Sequence, residues 1–192
     1  SWGDSLVYRN ESGYTWTAVN FGTGSNNTVS VALGDMDGDG GLDIVVGKYG
    51  QQSQVYKNAS PEISLQGNSI EIVSADLTPS LSDQTDFGST AVTGGTLDKT
   101  YSILNSGNGA LTLSGTPRVS LSGINAADFS LTLQPASPVA AGSQTSFTLR
   151  FAPSASGLRT AAVSIANNDS NENPYTFAVQ GTGTVPNFTL SL

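Results

Sequence analysis

The chain reads as an all-β protein in two parts: a small antiparallel, propeller-blade-like sheet with an acidic loop over residues 1–59, then a β-sandwich over 60–183, with an extended tail or linker at 184–192. Three observations predict this. The composition is turn-rich and weakly charged, with 22 Gly, 8 Pro and 11% charged residues, and no stretch repeats Ala, Glu, Lys and Leu at helical spacing. Short runs alternate apolar and polar residues and are separated by Gly, Asn, Asp and Ser clusters, the grammar of half-buried strands and their turns. Finally, Trp2-Gly3 followed by Val7-Tyr8-Arg9-Asn10 returns as Tyr49-Gly50 followed by Val55-Tyr56-Lys57-Asn58, a period of 48 residues that suits one small sheet per repeat.

Within the first half, strands are expected near 5–9, 14–21, 28–34, 42–47 and 53–58. Val29, Val31 and Leu33 alternate along the third, and Leu42, Ile44, Val45 and Val46 lead into the fourth. Between them, Asp35-Met36-Asp37-Gly38-Asp39-Gly40-Gly41-Leu42-Asp43 sets four carboxylates at alternate positions around a glycine turn. Ca²⁺ takes roughly 6 to 8 oxygens at about 2.3–2.6 Å, so it requires several carboxylates converging from a sharply curved backbone. Asp35, Asp37 and Asp39 fall at loop positions 1, 3 and 5, Gly41 offers its carbonyl at 7, Asp43 closes at 9, and Gly40 turns the chain at 6. An acidic surface turn is the plainer alternative, but four like charges in nine residues repel one another unless a cation offsets them. An EF-hand is excluded, because position 12 is Val46 rather than Glu and the flanks read as strands.

The second half opens at the turn dipeptide Ser60-Pro61. Strands are expected at 62–65, 70–73, 98–105, 110–114, 117–121, 128–133, 144–151, 158–166 and 174–180. Alternation is clearest in Phe147, Leu149 and Phe151, in Ala161, Val163 and Ile165, and in Tyr175, Phe177 and Val179. About 120 residues of such strands suit an immunoglobulin-like sandwich, without the Cys pair and core Trp of an antibody domain.

Residues 2–58 resemble an FG-GAP or VCBS-type repeat through Val31-Ala32-Leu33-Gly34-Asp35-Met36-Asp37-Gly38-Asp39-Gly40, Leu42-Asp43-Ile44-Val45-Val46-Gly47 and Gln54-Val55-Tyr56-Lys57-Asn58. The resemblance implies a propeller blade whose Asp35, Asp37, Asp39 and Asp43 bind Ca²⁺. It departs in number, since a propeller needs at least four blades and this chain has one full unit and the tail of another. Residues 61–183 are similar to the choice-of-anchor D type of bacterial surface domain, related to modules of abnormal-spindle and hydin proteins. Carrying that similarity are Asp86-Phe87-Gly88, Asn105-Ser106-Gly107-Asn108-Gly109-Ala110-Leu111-Thr112-Leu113, Gly123-Ile124-Asn125-Ala126-Ala127-Asp128-Phe129, Phe151-Ala152-Pro153, the stretch 165–175 and Gly181-Thr182-Gly183. It implies extracellular display without enzyme activity.

A net charge of −8 disfavours nucleic acid and anionic membranes, and no apolar run approaches the length of a membrane span. With no Cys there are neither disulfides nor thiolate metal sites. A weak calcium site suits the calcium-rich extracellular space, and Ser1 follows no leader, so the chain reads as secreted or cell-surface material or an excised segment. Five Asn-x-Ser/Thr triplets, at Asn10, Asn26, Asn58, Asn168 and Asn187, match what chance gives in so Asn- and Ser-rich a sequence.

The absence of His removes the usual general base and every Ser-His-Asp arrangement. A glycosidase needs only two carboxylates, yet nothing in the spacing of Glu62, Glu71, Asp76, Asp83, Asp86 and Asp98 selects a pair. Asp169, Asn171 and Glu172 are either a second calcium site or a solvated turn. Trp2, Tyr8, Tyr14 and Trp16 are either a sugar platform or sheet packing. Lys99 is the candidate for an isopeptide bond.

The expectation is a non-catalytic, calcium-stabilised structural or adhesion protein of a bacterial surface. Its incomplete blade and its tail, with Val185, Phe188, Leu190 and Leu192, would self-associate into a filament. The alternative is a glycan- or protein-binding accessory module of a larger secreted enzyme or adhesin.

Overall fold

In the computed structural model the described residues are 6–10, 16–20, 28–36, 38 and 42–185. They form two compact units, 1–58 and 59–192. Among the described residues no helix is long and apolar enough to cross a membrane.

Among the described residues the first unit holds five strands. β1 (Leu6–Asn10) and β2 (Trp16–Asn20) pair as an antiparallel ribbon. β3 (Thr28–Gly34), β4 (Asp43–Lys48) and β5 (Gln54–Tyr56) form a three-stranded antiparallel meander with β4 in the middle. The strands fall where the apolar alternation puts them, but they are shared between two sheets rather than gathered into one blade. Val46 of the central strand is buried, whereas Val29, Val31 and Leu33 of β3 are 56–66% exposed. Val31 stands in register with Val46, so the apolar residues of β3 are exposed along the edge of the face that buries Val46.

The second unit is a β-sandwich. One sheet runs β11 (Phe129–Leu133), β12 (Gln144–Phe151), β9 (Leu97–Asn105), β6 (Ile63–Gly67), β7 (Ile70–Ile72), all antiparallel. The other runs β10 (Ser120–Ser122), β13 (Gly157–Ile165), β14 (Tyr175–Thr184), β8 (Asp86–Ala91), with β8 parallel to β14. Period-two burial follows from the pleat: Tyr101 and Ile103, Phe147, Leu149 and Phe151, Ala161, Val163 and Ile165, and Tyr175, Phe177 and Val179 all point inward. Phe87 of β8 meets Phe129 of β11 edge to face at 5.6 Å, and Tyr101 of β9 lies 5.7 Å from Phe177 of β14, so the two sheets share one core. The buried tyrosines reach acceptors: the hydroxyl of Tyr101 donates to the Gln84 carbonyl at 2.8 Å and that of Tyr175 to the Ile72 carbonyl. At Gly181 a Cβ would lie 2.5 Å from the Phe151 ring, so only glycine lets β14 pass that close.

Three segments differ from the sequence expectation: the strand expected at 117–121 is found only as β10, with bends over 117–119, and the other two are residues 110–114 and β8. Residues 110–114 make single bridges, Leu111 to Val139 and Leu113 to Asn167, instead of a strand. Side chains there take the place of a ladder: the Thr112 amide donates to Asn168 Oδ1 at 2.6 Å and the Leu113 amide to Ser137 Oγ at 2.9 Å. β8, unanticipated, carries no alternation of its own; Gly88 sits at φ +78 beside a register shift against β14, and the strand is held by its neighbour. A single 3-10 turn, Ala126–Asp128, precedes β11.

Candidate metal centres

The β3–β4 connection brings the ends of the acidic loop together, because Gly34 pairs with Asp43 at the mouth of the hairpin. Asp35 turns its Oδ1 to the amide of Gly38 at 2.7 Å, a local Asx bond that begins the loop's curvature, and Gly38 takes φ +79. Asp43 is 0% exposed. Its Oδ2 accepts from the Met36 amide at 2.8 Å and its Oδ1 from the Asn58 amide at 2.7 Å. Asp37, Asp39 and Gly41 lie outside the described residues, as does all but the first two residues of the 184–192 tail, and the side chains of Trp2, Tyr8, Tyr14 and Trp16 are likewise outside them.

Two expected ligands are thus placed at the two ends of one short loop. Among the described residues each oxygen of Asp43 accepts from one amide, a neutral dipole, so this buried carboxylate is placed where a cation would offset its charge. An all-oxygen donor set of this kind fits Ca²⁺. Sequence reasoning did not identify Asn58 as a partner of the loop. Its place at the end of the repeat motif was the available signal.

A second acidic group lies in the sandwich. One carboxylate oxygen each from Glu62, Asp169 and Glu172 sit within 4.8 Å of one another. Glu62 immediately precedes β6, while Asp169 and Glu172 belong to the connection between β13 and β14. Asp169 is 1% exposed; its Oδ2 accepts from the Ile63 amide at 2.9 Å and its Oδ1 from the Asn171 amide at 3.3 Å. Asn167 shapes the turn, accepting from the Asp169 amide at 2.8 Å and donating to the carbonyls of Ile165 and Glu172, each at 3.1 Å. Glu172 is a half-buried residue whose Oε2 is withdrawn from solvent without a hydrogen-bond partner among the described residues. Burial first, then the charges of Asp169 and Glu71, push its carboxyl above the ordinary range. Burial, with the Glu172 charge next, pushes the Tyr175 hydroxyl up to about 12.

The structure therefore joins Asp169 and Glu172, as their spacing suggested, and adds Glu62 to the group, while the exposed Asn171 stands beside it with its amide on Asp169. Four of the five remaining candidates for paired-carboxylate chemistry have structural partners. Asp98 grips Arg150 through two bonds of 2.7 Å, Asp76 and Asp83 hold the backbone amides of Thr78 and Thr85, and Asp86 holds the Gly88 amide and Gln180 Nε2. Lys99 stands in register with Leu149.

Neither a protein-family model nor a curated protein sequence matches the chain. Among solved structures, a protein of unknown function from Porphyromonas gingivalis W83 is similar over 92% of this chain and 79% of its own, at 13% identity and a TM-score of 0.46. The ASH / PapD-like domain of human CEP192 (PapD-like domain 7) covers 72% of this chain and 96% of its own, at 13% identity and 0.37. The VesB protease of Vibrio cholerae covers 75% of this chain and 45% of its own, at 13% identity and 0.41. Likenesses this distant leave function to the chemistry of the sites.

Proposed function

We propose that the chain is a non-catalytic, calcium-stabilised structural or adhesion protein of an extracellular bacterial surface, in which a blade-like calcium unit precedes an immunoglobulin-like sandwich. The buried Asp43 carries the reading. Its two oxygens tie the start of the acidic loop to the end of the next strand, at a point where a cation would offset the charge. Asp35, Asp37, Asp39 and Asp43, with the Gly41 carbonyl, would hold the ion, and its part is to fix the loop and not to activate a substrate. The lack of His in the whole sequence agrees with a non-catalytic role. The exposed apolar residues Val29, Val31 and Leu33 of β3 are the surface through which the unit would associate with further copies or with a partner.

A ligand that binds only the folded form stabilises it by RT ln(1 + [L]/Kd), about 2.7 kcal/mol at a hundredfold excess over Kd. Thermal unfolding of the full chain in millimolar calcium and in chelator measures this. The melting temperature should be higher in calcium for the wild type, and Asp37→Ala should lower it in calcium. If chelator leaves wild-type unfolding unchanged, the calcium reading fails. Sedimentation of the same samples tests association, and a monodisperse monomer at micromolar concentration would overturn it.

A further inference from the structure

We propose that Glu62, Asp169 and Glu172 form a second divalent-cation site, independent of the Asp35–Asp43 loop, in which Ca²⁺ clips together the two sheets of the sandwich. Three observations converge on it. The first is spacing. Two oxygens bound to one Ca²⁺ at about 2.4 Å lie at most about 4.8 Å apart, and one oxygen from each carboxylate already satisfies that limit. The second is the orphaned Oε2 of Glu172. A carboxylate oxygen without water or a donor is costly to bury, and a cation is the partner that would accept it without rearranging the turn. The third is the burial of Asp169, whose hydrogen-bond donors are the amides of Ile63 and Asn171, neutral dipoles that leave lone pairs on both oxygens.

The donors are all hard oxygens, which selects Ca²⁺ or a similar ion over zinc or copper. Position assigns the role. Glu62 enters the five-stranded sheet at β6, and Asp169 and Glu172 sit on the connection that joins β13 to β14 in the four-stranded sheet. One ion held by all three bridges the layers at one end of the sandwich, where a cysteine-free chain has no disulfide to do so. The Asp169–Ile63 bond already makes the same crossing, and the ion would neutralise the like charges gathered around it.

Calorimetric titration of the full chain with CaCl₂ after chelator treatment and dialysis tests the site. Asp37→Ala isolates it from the loop. Asp37→Ala should still bind calcium, and Asp37→Ala/Glu172→Gln should bind it at least tenfold more weakly. Removing a crowded negative charge keeps the metal-free sandwich folded, so a Glu172→Gln chain that melts no lower than wild type in chelator ties lost binding to the lost ligand. Glu62→Gln provides a second variant outside the turn, with the same loss expected. If Asp37→Ala binds no calcium, or if neither Gln substitution alters its titration, the second site is overturned. A wild type that loses nothing on Asp37→Ala but one ion on Glu172→Gln would instead overturn the loop reading and leave this one standing.

Discussion

Asp128→Ala should be among the most damaging single changes in the sandwich. Asp128 ends the 3-10 turn ahead of β11, in the five-stranded sheet, and its Oδ2 accepts from Nε of Arg159 on β13, in the four-stranded sheet. Its Oδ1 also accepts from the Ser154 amide at 3.1 Å. The Asp128 side chain is 3% exposed and that of Arg159 is 20% exposed. Breaking a buried ion pair by removing one partner costs roughly 3–5 kcal/mol, chiefly because the other charge stays desolvated. Arg159 retains some water, which places the loss near the lower bound, about 3 kcal/mol. In a unit of this size that is on the order of 10 °C in melting temperature. Burial pushes the Asp128 carboxyl up, but hydrogen bonds from Ser154 and Arg159 and the guanidinium charge outweigh it and hold the pKa below the ordinary value. A carboxyl depressed in the folded state contributes stability that is present above its unfolded pKa, near 3.9, and lost as pH falls through the folded value. Urea unfolding of wild type and Asp128→Asn from pH 3 to 7 should therefore show a gap between the two that is constant above about pH 5 and narrows below pH 4. A gap that does not change with pH, or an alanine variant within about 1 kcal/mol of wild type, would refute the assignment of a cross-sheet ion pair to this carboxylate.

Gly181→Ala should destabilise the sandwich by about 1–3 kcal/mol, since its Cβ would enter the Phe151 ring, and Phe151→Leu should recover part of the loss in the double variant, read by thermal unfolding. Glu172 gives the opposite pH trend to Asp128. With its pKa raised on folding, its favourable contribution is present below the unfolded pKa and is lost as pH rises through the folded one, so wild type in chelator should weaken relative to Glu172→Gln between pH 4 and pH 7. A parallel pair of stability curves over that range would sink the claim that Glu172 is the crowded carboxylate.

What was legible in the sequence was what periodicity carries. The β12 strand occupies 144–151 and β3 occupies 28–34, where apolar and polar residues alternate in the sequence, and along β12 the alternation matches burial, with Phe147, Leu149 and Phe151 inside. β8 was illegible for the converse reason: Asp86-Phe87-Gly88-Ser89-Thr90-Ala91 has one core residue, Phe87, and owes its extended form to parallel pairing with β14, about ninety positions away. The segment 110–114 reads as a strand by composition, but its backbone pairs only at single bridges, and side chains of Asn168 and Ser137 from distant loops accept from the Thr112 and Leu113 amides. The sites divide in the same way. The loop's carboxylates lie within nine residues and announce themselves, while Glu62 meets Asp169 only through the Ile63–Asp169 bond, over a separation that no local spacing encodes.

The distribution of negative charge explains why one short chain presents two such groups. Fifteen acidic residues face seven basic ones, so most carboxylates cannot be neutralised by ion pairs. The fold places several of them where backbone amides converge: Asp43 on Met36 and Asn58, Asp83 on Thr85, Asp86 on Gly88, Asp169 on Ile63 and Asn171. Amide dipoles organise a carboxylate and fix its direction, but they do not cancel its charge. Where a single such group stands near the surface, water completes the compensation. Where the group is buried beside others of the same sign, as at Asp169, only a mobile cation can do so without a lysine or arginine. The proposed calcium dependence would then follow from the shortage of basic residues as much as from any one motif, and an arginine introduced by Asn171→Arg should substitute for part of the effect a metal would have on the sandwich. Its melting temperature in chelator should approach the wild-type value in calcium, and failure to rise would show that charge compensation is not what the turn lacks.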